Sequence, residues 1–183
     1  MALRLTLVCH ATTRGWKAAC FPADDPIEFE GPLPVALQAM GTGQRTRFLH
    51  APETRARQTA ERLSARFRCT DALRDLDFGR WAGQSIEAVA AAEPDALQAW
   101  LTNWEAAPHG GESLARLSER VDQWLGELAG EGHTVAVTHP SVMRVALMHA
   151  LRCPSQAFHA IDIAPLSTLD LRFNRVWRLR LQP

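Results

Sequence analysis

Three short runs of aliphatic and β-branched residues, 3–8 (LRLTLV), Thr46–His50 (TRFLH) and 134–138 (TVAVT), are each followed by a polar break and then by helical periodicity. Strands that alternate with helices in this way are joined by crossovers, which fit a largely parallel sheet covered on both faces. The chain closes differently: TLDLRF and VWRLRL alternate around Asn174 and read as a hairpin, which would add an antiparallel edge.

The helical segments are legible at the same level. PETRARQTAERLSARF follows the second strand, with Pro52 suited to a first helical position and Glu53 to the positive end of the helix dipole. Residues 86–104 form a mostly helical, Ala-rich piece broken at Pro94. In 114–128, Leu114, Leu117, Val121, Trp124 and Leu128 recur at helical spacing, and 141–151 is apolar nearly all round, as suits a helix buried against a sheet. With 183 residues, no repeat and no linker, the chain is expected to be a single domain spanning 1–183.

Charge and composition exclude several function classes. Twenty basic residues balance twenty acidic ones, so bulk charge argues for neither nucleic acid nor a membrane surface as partner, and any anion site must be local. The opening MALRLTLVCH has too short an apolar run for a secretory core, and the most apolar stretch, 135–151, is interrupted by His139, Pro140, Arg144 and His149. A cytoplasmic protein is expected. Cys9, Cys20, Cys69 and Cys153 lack metal or redox spacing and are expected to be free thiols.

In open α/β sheets, ligands gather where strands end and helices begin. His10, Arg55 and His139 all fall at such points. Arg55 stands out because a cation in the first turn of a helix opposes the macrodipole unless an anion lies nearby. Arg57 and Arg62 read as solvated charges on the same helix, and His50, His109, His133, His149 and His159 read as structural.

Taken in order and spacing, LVCHATT, HAPETRARQTAE, LRDLDFGRWAGQS, PHGGESLARL and VAVTHPSVMRVAL resemble the successive motifs of the histidine phosphatase superfamily, which includes the phosphoglycerate mutases. The resemblance implies a three-layer α/β/α sandwich and a metal-independent phosphomonoesterase that needs no cofactor and acts on a small phosphorylated substrate. It makes His10 the nucleophile that becomes a phosphohistidine, Arg55 a bidentate phosphate grip and His139 the second pocket histidine. Asp75 falls where the family has a glutamate that protonates the leaving alcohol, and Asp77 is the competing carboxylate. Residues 84–111 are expected to form a helical insertion near the active-site mouth. Trp81, Trp100 and Trp104 read as core aromatics, with lining of that mouth as the alternative.

The chain departs from the family where Arg-His-Gly is replaced by Cys9-His10-Ala11, and where Pro140 stands in place of a glycine. Arg14, with Lys17 second, is the candidate to replace the missing phosphate-binding arginine. Cys9 beside a cationic pocket is expected to have a depressed pKa. A cysteine-phosphatase loop is set aside, because only four residues separate Cys9 from Arg14 and no glycine-rich cradle lies between them. Two other readings remain in view: a catalytically silent relative that binds a phosphorylated ligand or protein, and a phosphomutase.

Overall fold

The computed structural model describes residues 3–38, 40, 46–63, 66–128 and 132–181. Its centre is a six-stranded sheet in the order β3-β2-β4-β1-β5-β6. The strands are β1 (Leu3–Cys9), β2 (Thr46–His50), β3 (Arg68–Cys69), β4 (Gly132–Thr138), β5 (Thr168–Asn174) and β6 (Val176–Leu179). β1, β2, β3 and β4 run parallel, whereas β5 and β6 pair antiparallel at one edge.

Seven helices accompany the sheet among the described residues: α1 (Arg14–Lys17), α2 (Val35–Gln38), α3 (Thr54–Leu63), α4 (Ile86–Ala92), α5 (Pro94–Thr102), α6 (Leu114–Glu127) and α7 (Pro140–Leu151). The connection β2-α3-β3 moves outward to the sheet edge, and the connection through α6 returns from β3 to β4. Right-handed crossovers therefore put α3 and α6 on opposite faces, and α7 packs beside α6. This is the three-layer sandwich with a mostly parallel sheet and an antiparallel edge.

The central strands explain themselves as core. Leu5, Leu7, Val8, Val135, Ala136 and Val137 are fully buried, as strands covered on both faces require. α6 turns Leu114, Leu117, Val121, Trp124 and Leu125 inward along the face that the spacing predicts, behind an N-cap in which Ser113 accepts a hydrogen bond from Arg116 N. The break at Pro94 is real, with Pro94 opening α5. Pro52, by contrast, lies outside α3: Glu53 caps the helix by accepting hydrogen bonds at its carbonyl from Ala56 N and Arg57 N. Two-residue β3 and four-residue α1 and α2 carry too few residues for periodicity to show them.

The 84–111 segment begins beside the loop after α1. Phe21 N donates to Gln84 O, and Gly83 N and Ile86 N donate back to Phe21 O and Ala19 O. Trp81 is buried in the core, where its ring lies 5.2 Å from that of Phe21. Trp100 and Trp104 are partly buried against the core and line a separate groove with Ser155, Gln156 and His159.

Candidate active site

The four parallel strands all end at one edge, and each delivers a polar residue there. Cys9 of β1 pairs with Thr138 of β4, so the next residue of each strand, His10 and His139, come side by side with ring centroids 5.2 Å apart. β2 leads through Ala51 into Glu53 and Arg55, and β3 leads through the short turn Asp71–Leu73 to Asp75. The structure therefore brings His10, Arg55, Asp75 and His139 together, all of them buried.

His10 has one ring nitrogen committed. Its Nδ1 lies 2.7 Å from Ala11 O, an acceptor only, so Nδ1 carries the hydrogen and Nε2 keeps its lone pair. Burial, with His139 and Arg55 adding positive charge nearby, lowers its pKa to about 4, which keeps the imidazole neutral at pH 7. The backbone beside it is fixed by Ala11 N donating to Thr59 Oγ1 at 2.9 Å, and that hydroxyl donates to Arg55 O at 2.7 Å.

Arg55 is held from two sides. Its Nη2 donates to Asp75 Oδ2 at 2.6 Å and its Nη1 to Ala23 O, while Nε is buried with no partner. A buried N–H left unpaired is costly unless a ligand completes it, and a guanidinium has five such donors for a planar anion. Arg55 shares with His10, Thr13, Gly15, Trp16, Cys20, Pro22, Asp25 and Pro140 the lining of a pocket of about 50 Å³.

Asp75 is wholly interior. Oδ1 accepts from Ser141 Oγ and from Leu76 N, and Oδ2 accepts from Arg55. Burial alone would raise its pKa, but the charges of His139 and Arg55 and the Ser141 hydrogen bond reverse this and hold the carboxyl well below the usual carboxylate range. Asp77 is exposed and accepts from Gly79 N at 2.8 Å, which makes it a turn-former outside the cluster.

His139 stands between two carboxylates. Its Nε2 lies 2.7 Å from Glu53 Oε2, and Nδ1 faces Asp75 Oδ2 at 3.4 Å without the alignment of a hydrogen bond. Glu53 Oε1 in turn accepts from Asp75 N at 2.9 Å. Burial raises the Glu53 pKa, but the hydrogen bond and charge of His139 outweigh it, and the net shift is downward.

Two side chains in this cluster were not singled out by sequence as site residues. Glu53 looked like an ordinary helix-start acid, since nothing local shows that its carboxylate turns toward a strand end 86 positions away. Ser141 carries no local sign of its role, which is to hold Asp75 through its hydroxyl.

Arg14 and Cys9 lie in surroundings that differ from those expected. Arg14 is exposed on α1 and is not among the pocket-lining residues, because Thr13 caps that helix from Trp16 N and Gly15 N is tied to Asp25 Oδ2 at 3.0 Å, which turns Trp16 to the pocket instead. Lys17 pairs with Glu28 at 3.1 Å, away from His10. Cys9 is fully buried and its thiol pKa is raised, first by desolvation and then by the charge of Asp75, so it is not an activated thiolate.

Known proteins share this fold. The family model of the histidine phosphatase superfamily (branch 1) matches residues 34–180. The bifunctional protein Rv2228c of Mycobacterium tuberculosis is 29% identical over 116 residues, which are 61% of this chain and 32% of that protein. The match therefore spans about a third of the relative's length. Among solved structures, the mycobacterial glucosyl-3-phosphoglycerate phosphatase Rv2419c in complex with VO3 superposes with a TM-score of 0.82 at 26% identity, covering 97% of each chain. A putative α-ribazole-5'-P phosphatase from Escherichia coli shares the fold, with a TM-score of 0.82 at 22% identity over 99% of this chain and 96% of that one.

Proposed function

This chain belongs to branch 1 of the histidine phosphatase superfamily, and from that premise we propose that it is a metal-independent phosphomonoesterase that works through phosphorylated His10 on a small phosphorylated metabolite. The observation that carries the reading is the state of His10: a neutral imidazole with Nδ1 tied to Ala11 O and Nε2 free for attack, next to a buried guanidinium with an unpaired Nε.

In this mechanism Nε2 of His10 attacks phosphorus as the bond to the leaving oxygen breaks, and the leaving alkoxide takes a proton from the pocket. Water then attacks the phosphohistidine, its proton returns to the pocket, and phosphate leaves. Splitting the transfer in two lets one imidazole serve as both nucleophile and leaving group. Arg55 meets the phosphoryl oxygens with the donors that Asp75 and Ala23 leave unused, and its interior position keeps that charge from being screened. His139 stands beside His10, with its Nε2 held 2.7 Å from Glu53 Oε2. The whole of 1–183 is proposed to act as one domain in the cytoplasm, with 84–111 as the helical insertion next to the loop that lines the pocket; no described helix is long and apolar enough to cross a membrane.

One observation favours a second reading. Cys9 is buried where the family's first arginine would stand, and Arg14 is not at hand to replace it, as a silent relative that only binds phosphorylated ligands would tolerate. A phosphatase screen over a metabolite panel, run in chelator with His10→Ala as control, separates the two. Release of phosphate that depends on His10 supports the enzyme, and retention of the phosphoryl group on product would make it a mutase. Phosphate release that survives His10→Ala, or none from either protein, refutes the proposal.

A further inference from the structure

The carboxylate that the sequence nominates as proton donor is badly placed to give a proton away. Both Asp75 oxygens are occupied, one by Ser141 and Leu76 N and the other by Arg55, and its side chain is 6% exposed. An acid must hold a proton in the ground state and reach the oxygen that departs. A carboxylate locked against a guanidinium 2.6 Å away does neither. Aspartate is also one methylene shorter than glutamate, so its carboxylate reaches less far from the backbone.

Another carboxylate stands beside it. Glu53 reaches in from the start of α3 with both oxygens also engaged, Oε1 by Asp75 N and Oε2 by His139 Nε2 at 2.7 Å, but its partner is an imidazole, which can pass on a proton, and not a guanidinium, which does not. Its side chain is 19% exposed against 0% for His139 and 6% for Asp75, so it is the most solvent-accessible of the three.

We propose that Glu53, hydrogen-bonded to His139, is the proton donor to the leaving oxygen, and that Asp75 is a positioning residue that orients Arg55. In the proposed step the pair enters with one proton beyond a neutral imidazole and a carboxylate. As the phosphorus–oxygen bond breaks and the His10–phosphorus bond forms, that proton passes to the leaving oxygen, leaving His139 neutral and Glu53 ionised. In the second half, Glu53 takes a proton from the attacking water as its oxygen bonds to phosphorus and the His10 bond breaks. The pair is then restored. This rests on the phosphohistidine reading above.

The test compares 4-nitrophenyl phosphate, whose phenolate leaves without help, with phenyl phosphate, whose phenolate needs a proton more. Glu53→Gln is expected to lose on the order of 100-fold on phenyl phosphate and less than about tenfold on 4-nitrophenyl phosphate, while Asp75→Asn loses the same factor on both. Equal losses for Glu53→Gln, or a leaving-group-dependent loss for Asp75→Asn, would overturn the assignment. Should Glu53→Gln fail to fold by circular dichroism, Glu53→Ala with added formate takes its place. Formate that restores phenyl phosphate turnover supports the donor role, and formate without effect on a folded Glu53→Ala refutes it. Absence of a phosphohistidine in the wild type on either ester would instead sink the parent reading.

Discussion

Asp75→Asn should destabilise this protein far more than its small change in volume suggests. Asp75 and Arg55 are 6% and 3% exposed and joined at 2.6 Å, so the mutation leaves a buried guanidinium with only Ala23 O to answer it. Removing one partner of a buried pair costs about 3 to 5 kcal/mol, because the surviving charge is stranded in low dielectric. For a chain of this size that corresponds to a fall in Tm of roughly 6 to 20 °C. The asparagine oxygen can still accept from Ser141 and Leu76 N, so the loss reports the charge rather than the hydrogen bonds around it.

The pH dependence sharpens this prediction. The folded-state pKa of Asp75 lies below its unfolded value, so its stabilisation is complete above roughly pH 4 and fades only as pH falls through the folded value. Urea unfolding of both proteins should therefore give a difference that is constant between pH 7 and pH 5. Inorganic phosphate should raise the Tm of Asp75→Asn more than that of the wild type, since an anion on Arg55 replaces the missing charge. A difference below about 1 kcal/mol, or one that vanishes by pH 5, would refute the reasoning.

Three further outcomes follow from the same contacts. His10, with its pKa lowered to about 4, should keep its single-turnover phosphorylation rate flat from pH 7 down to pH 5 after correction for substrate ionisation; a half-point near pH 6.5 would contradict the geometry. Arg14→Ala should change kcat/KM by no more than about twofold, as a surface substitution does, and a large loss would return Arg14 to the pocket. Gly111→Ala should cost about 1 to 3 kcal/mol or more in chemical denaturation, because its added Cβ would stand 2.1 Å from Asp77 O, and a neutral result would show that the loop yields freely.

The parts of this account that were legible in the sequence are those set by periodicity and strand order. LRLTLV and TVAVT are central strands because each is apolar enough to be covered on both faces, TRFLH lies beside them with only Phe48 and His50 buried, and the three strand ends carry His10, Arg55 and His139 to one edge. The alternation around Asn174 gave the antiparallel pair β5 and β6, joined at Arg175 with φ +65°.

What escaped was the direction of single side chains. Arg14 sits four residues from His10, but one Thr13 cap decides which way the helix turns, and Trp16 takes the place beside the pocket. Glu53 fits the role of a dipole partner equally well by charge and position. Only the packing of β2 beside β4, with Phe48 opposite Val135, reveals that its carboxylate reaches His139. Cys9 failed as a reactive thiol for a related reason: proximity to cations counts for little when burial is complete.

The most direct test of the central claim is a rapid quench of the wild-type protein mixed with a ³²P-labelled phosphomonoester that the screen identifies. The account predicts a labelled phosphoenzyme that is stable to base and labile to acid, maps to His10, and is absent from His10→Ala. Steady release of phosphate with no label on His10, or turnover that survives His10→Ala, would contradict it.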